Sequence, residues 1–162
     1  MAKGKSPGKG KGKEPGSKPP PVCKAILLCD QVIRDLQTGR ASLIGIRAGF
    51  LIARVPGRTR PVTAFLQLIE GVGSYVLTVE VHDLSADEVI ARAETVEITF
   101  GNRLEKQEVV IEVPPLPVKN TGLYDFVVLA NGKEVDRQQF KVVVPEEVSD
   151  EAQGPEDPGK PE

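Results

Sequence analysis

From Tyr75 to Asp83 the chain alternates residue by residue. Tyr75, Leu77, Val79 and Val81 take turns with Val76, Thr78, Glu80 and His82. A period of two puts the first set on one face of a β-strand, which then has a core side and a water side. An α-helix would scatter the same residues around its axis. No stretch of 3.6-residue periodicity longer than a turn or two competes with this pattern, so the spacing predicts an all-β chain. Before it, past a turn at Gly71-Val72-Gly73-Ser74, Val62, Ala64, Leu66 and Leu68 interleave with Thr63, Phe65, Gln67 and Ile69. That strand is apolar on both faces and is expected to be central.

Asn131-Gly132 separates the apolar run Leu123–Ala130 from Lys133–Val144. This pair is the strongest short-range hairpin signal, because a type I′ turn needs positive φ at both central positions. In the second arm the parity of Phe140, Val142 and Val144 disagrees with that of Val135. A bulge between Asp136 and Gln139, on an edge strand, is expected to absorb the mismatch. Further strands are expected at Lys24–Gln31, Ala41–Ile46, Val89–Ala93, Thr95–Phe100 and Gln107–Val113. They are linked by Thr38-Gly39, by residues 85 to 87 and by Gly101-Asn102. About seven to nine short strands at this spacing indicate an antiparallel sandwich.

Charge divides the chain in three. Residues 1–21 carry six lysines (Lys3, Lys5, Lys9, Lys11, Lys13 and Lys18) and one acid, with ten Gly or Pro and no Val, Ile, Leu or Phe. Residues 145–162 carry seven acids and one lysine, and residues 22–144 carry 14 bases, 15 acids and all seven aromatics. The two ends cannot bury enough apolar surface to offset chain entropy and are expected to be disordered, leaving 22–144 as the folded domain. The longest uncharged runs, Pro61–Ile69 and Gly71–Val79, are nine residues each, about half of the ~18 a membrane helix needs. With no signal-peptide pattern, a cytoplasmic location is expected. Cys23 and Cys29 lie roughly 20 Å apart on one strand at ~3.3 Å per residue, so both are expected to be free thiols.

Asn120-Thr121-Gly122-Leu123-Tyr124, after the connection Pro114–Gly122, resembles the tyrosine corner that opens a late strand in immunoglobulin-like sandwiches. Tyr124 is therefore expected to bond backbone a few residues upstream. Taken together, Cys29-Asp30, Thr38-Gly39-Arg40, Ile44-Gly45-Ile46, Gly122-Leu123-Tyr124-Asp125-Phe126 and Asn131-Gly132 resemble a family of uncharacterised bacterial proteins of about this core length. The resemblance covers nearly the whole core and neither charged end. It implies an immunoglobulin-like β-sandwich, a domain of unknown function, and no activity or site residues.

Chemistry-bearing residues are sparse. His82 is the sole histidine, closes a strand and points to solvent by parity; one histidine cannot supply a zinc site without help that the spacing does not suggest. Cys23 or Cys29 with His82 as base has no motif behind it, and a free cysteine commonly serves as a small buried hydrophobe. Ser74 and Ser85 lack a nucleophile elbow. Gly71-Val72-Gly73 and Gly4-Lys5-Ser6 are fragments of phosphate-binding loops without the strand-to-helix context. Asp83, Asp87 and Glu88, and Glu94 with Glu97, are read as solvated acids. Pro114-Pro115-Leu116-Pro117 has P-x-x-P spacing but reads as a rigid inter-strand connection. No catalytic residue, metal or cofactor is therefore expected. The expected function is a non-catalytic protein-binding or assembly module presenting loops or a strand edge. The alternative is weak, sequence-blind tethering of nucleic acid or an anionic surface through the lysine arm.

Overall fold

The computed structural model describes residues 18–146. Twelve strands follow one another there: β1 Val22–Cys29, β2 Gln31–Arg34, β3 Ala41–Ile44, β4 Gly49–Leu51, β5 Gly57–Arg58, β6 Val62–Ile69, β7 Gly73–Asp83, β8 Glu88–Phe100, β9 Gln107–Val113, β10 Pro117–Val118, β11 Gly122–Ala130 and β12 Lys133–Val143. A three-stranded sheet runs β1-β6-β9, and a five-stranded sheet runs β4-β12-β11-β7-β8. Two small ribbons, β2-β3 and β10-β5, cap them. One apolar cluster fills the space between the sheets, with Ile26, Leu28, Ala64, Leu66 and Leu68 from one side and Tyr75, Leu77, Val79, Phe126, Val128 and Phe140 from the other. The architecture is an immunoglobulin-like β-sandwich, held together by the period-two faces that the sequence displays.

The central place of β6 follows from its two apolar faces, since β1 and β9 pair with it on either side. At the hairpin, Asn131 and Gly132 take φ values of 48° and 77°, the type I′ requirement, and β11 pairs with β12 around them. Asn131 also grips β7: its amide donates to the Val76 carbonyl oxygen and its side-chain oxygen accepts from the Val76 amide, both at 2.9 Å.

Several elements differ from the sequence reading. Seven strands have seven or more residues; the other five span two to four, too short for alternation to register. The strand expected at Lys24–Gln31 breaks at Asp30, which hands the chain to the β2-β3 ribbon, and the strand expected to end at Ile46 stops at Ile44. The stretches Val89–Ala93 and Thr95–Phe100 are one strand, because two register shifts against β7 absorb the parity change. The bulge in β12 falls at Val135, one residue before the expected window, where Val128 pairs Asp136 and Leu129 pairs Glu134. It lets Val135 and Phe140 both face the core. Nor is β12 simply an edge: over Lys141–Val143 it pairs in parallel with β4, since the chain reaches β4 from the opposite sheet rather than by a hairpin.

Candidate functional site

The sequence candidates disperse. Cys29 is buried in the three-stranded sheet, 3.5 Å from the Thr63 carbonyl oxygen, whereas His82 is on the five-stranded sheet and bonds Glu80 at 2.8 Å. The Ser74 hydroxyl bonds that of Thr99, and Gly71 lies so close to the Phe100 ring that it leaves no room for a Cβ. Pro117 belongs to β10, and Leu116 is buried with its amide donating to Thr59 Oγ1, so the proline segment is built into the fold. Among the described residues no three His, Cys, Asp or Glu side chains gather as a metal-ligand set. Lys18 is exposed; Lys3, Lys5, Lys9, Lys11 and Lys13, with the Gly4-Lys5-Ser6 fragment, lie outside the described residues, as do the expectations of disorder for most of both charged ends.

Asp83 corrects the reading of a solvated acid, for it is 1% exposed. Its Oδ1 accepts from the Ser85 amide (2.9 Å), the Ser85 hydroxyl (2.6 Å) and the Ala86 amide (3.3 Å). Its Oδ2 accepts from Asn120 Nδ2 (3.3 Å) and the Tyr124 hydroxyl (3.1 Å). Burial alone would raise the carboxyl's pKa, but the bonds from Ser85, Asn120 and Tyr124 outweigh it and hold it below the ordinary value. The Tyr124 hydroxyl is also 2.7 Å from the Asn120 carbonyl oxygen, four residues upstream, which is the expected corner. Burial, then the neighbouring Asp83 carboxylate, pushes the phenol up to about 12. No buried side-chain polar atom of this knot lacks a partner, so it is a structural lock between the β7-β8 turn and the start of β11.

Two surfaces have the form of binding sites. The larger is a groove of about 910 Å³ between the β2-β3 ribbon and the outer side of β6 and β9, lined in part by Arg34, Arg40, Phe65, Lys106 and Glu108. Its charges are largely matched internally: Glu108 receives Lys106 at 2.8 Å and Arg34 at 3.1 Å. Lys106 first, and Arg34 after it, keep the Glu108 carboxyl below its usual pKa.

The second surface is cationic and only partly matched. Between β3 and β6, Arg47 and Arg60 border a pocket of about 190 Å³ with Phe50 and Leu51, and Arg54 and Arg58 border a neighbouring pocket on the same connection. Arg47 pairs with Asp30, and Arg58 donates to the Pro115 carbonyl oxygen at 3.3 Å. Arg54 and Arg60 are exposed and have no carboxylate partner among the described residues. Leu51, 69% exposed, lines the pocket with Arg47 and Arg60. An arginine fork with no carboxylate partner among the described residues is ready to receive one.

Sequence reasoning passed over this face because it summed residues 22–144 as one block of net charge −1. A finer count exposes it. Residues 36–69 contain five arginines (Arg40, Arg47, Arg54, Arg58 and Arg60) and no acid, while residues 70–136 contain 13 acids and five bases.

No curated protein matches. The chain is similar to the alkylpurine DNA glycosylase AlkC of Pseudomonas fluorescens, solved bound to DNA with an abasic site analogue. That likeness has 11% identity and a TM-score of 0.41, and covers 59% of this chain and 27% of the glycosylase chain. It is similar also to an immunoglobulin-like protein of Pseudomonas aeruginosa, with 12% identity and a TM-score of 0.37 over 79% of this chain and 100% of the other. A family model does match, over residues 24–143, and takes in nearly the whole sandwich with the arginine face; the chain belongs to the Family of unknown function (DUF6941).

Proposed function

We propose that this sandwich is a non-catalytic binding module whose arginine face receives an acidic protein segment. The observation that carries the reading is the set Arg47, Arg54, Arg58 and Arg60, of which Arg47 alone pairs with a carboxylate among the described residues. Leu51 supplies an exposed apolar anchor beside Arg47 and Arg60, the usual arrangement of a contact that needs affinity as well as charge. Two free thiols suit a reducing compartment, and we place the module in the cytoplasm on that ground.

A labelled acidic peptide titrated against the full chain tests the reading. Binding should weaken as salt rises. Arg54→Ser with Arg60→Ser should cost roughly tenfold in affinity, since each exposed ion pair is worth up to ~1 kcal/mol. Unchanged affinity in the double variant would overturn it. A second reading, polyanion tethering through Lys3, Lys5, Lys9, Lys11, Lys13 and Lys18, draws on the six lysines with one acid in residues 1–21. It requires that deleting residues 1–21 abolish retention on DNA, RNA or anionic vesicles at low salt.

A further inference from the structure

We infer that the acidic segment 146–162 of the same chain occupies the arginine face, so that an outside partner must displace it. The inference rests on the binding-face reading and names its resident occupant. Lys141, Val142 and Val143 of β12 pair in parallel with Gly49, Phe50 and Leu51 of β4, and the Ile52 amide donates to the Val143 carbonyl oxygen at 3.0 Å. The chain therefore leaves the sheet beside Leu51, heading the way that β4 heads toward Arg54. The first acids, Glu146 and Glu147, come within four residues of that point, a reach of roughly 14 Å at ~3.5 Å per residue. Seven acids and one lysine lie between 146 and 162, against five arginines and no acid between 36 and 69.

Two occupants compete with this one. The lysine-rich segment repels the face by charge and starts at the far end of the sandwich: Pro19 bonds Tyr75, near the Asn131-Gly132 turn, a full β12 length or roughly 33 Å from Val143 at ~3.3 Å per residue. The acidic segment of a second copy has the right charge but lacks the tether. A short tether sets an effective concentration near millimolar, at which even weak exposed ion pairs are made within the chain first.

The test uses the full chain, with a fluorescent deca-glutamate peptide as probe. One variant neutralises the segment through Glu146→Gln, Glu147→Gln, Asp150→Asn, Glu151→Gln, Glu156→Gln, Asp157→Asn and Glu162→Gln. The other is Arg54→Ser with Arg60→Ser. At low salt the neutralised chain should bind the probe about tenfold more tightly than the unaltered chain, because the tethered competitor is gone. Its backbone amide resonances over residues 47–60 should move relative to those of the unaltered chain, and raising the salt should move the unaltered chain's in the same direction. Equal probe affinity in the two chains, abolished by the arginine changes, would overturn the inference and leave the binding face standing. No probe binding to either chain would overturn both. Concentration-dependent self-association that disappears when residues 1–17 are deleted would also overturn it, in favour of pairing between the unlike ends of two copies.

Discussion

The phenol of Tyr124 points at the buried carboxylate of Asp83, 3.1 Å away, and joins neighbouring strands at the point where β11 begins. The same hydroxyl reaches the Asn120 carbonyl oxygen at 2.7 Å. Tyr124→Phe removes the shared donor and should cost about 1–2 kcal/mol in urea unfolding. Asp83→Ala should cost more, about 3 kcal/mol, since it strands the amides of Ser85 and Ala86 and the side chain of Asn120 and takes one of the two acceptors from Tyr124. Equal losses in the two variants would show that the carboxylate is not the hub.

Acid should loosen the same knot. The folded Asp83 carboxyl titrates below its ordinary value of 3.8. The unfolded chain therefore takes up the proton first, and the stabilisation is complete above 3.8 and lost as pH falls through the lower folded value. Melting temperature followed downward from pH 6 should drop through this window. Asp83→Asn should flatten the drop while lowering stability at neutral pH.

Gly71 has no room for a side chain, because an added Cβ would run into the Phe100 ring. Its backbone needs no left-handed conformation, so Gly71→Ala tests packing alone. A loss of about 1–3 kcal/mol is expected, as for other overpacked cores. The pairing of Tyr75 with Phe100, ring centroids 5.9 Å apart, should be disturbed in aromatic NMR shifts.

The thiols should be slow. Cys29 is buried, and burial first, then the nearby Asp136 carboxylate, pushes the Cys23 thiol up to about 11. Two pH units above the ordinary 9.0 leave roughly a hundredth of the usual thiolate, so alkylation of the native protein at pH 8 should be retarded about a hundredfold at Cys23. Rapid labelling that equals the rate in urea would contradict the half-buried position of this strand.

The turn residues were legible because their chemistry is local. Asn131-Gly132 announces positive φ in its own residue types, and Gly122-Leu123-Tyr124 carries its corner within five residues. Asp83 was legible too, and was misread: it shares the odd parity of Tyr75, Leu77, Val79 and Val81, so the alternation itself turns it inward. Its acidity suggested water, and the partners that make burial tolerable come largely from a turn and from a segment more than thirty residues away. The arginine face lay beyond sequence reading for another reason. The acid-free stretch can be counted, yet its position at the departure of the acidic segment depends on the parallel pairing of Val143 with Leu51, a contact across ninety-two residues with no local signature.

Tyr75 has a mechanical consequence of its own. Its hydroxyl donates to the Pro19 carbonyl oxygen at 2.8 Å and accepts from the Val72 amide at 3.0 Å, so the root of the lysine-rich segment is pinned to β7 before the chain enters β1. β1 belongs to one sheet and β7 to the other. A pull on residues 1–17 is thus shared between both layers, and β1 cannot be unzipped from β6 until the Tyr75 clasp has given way.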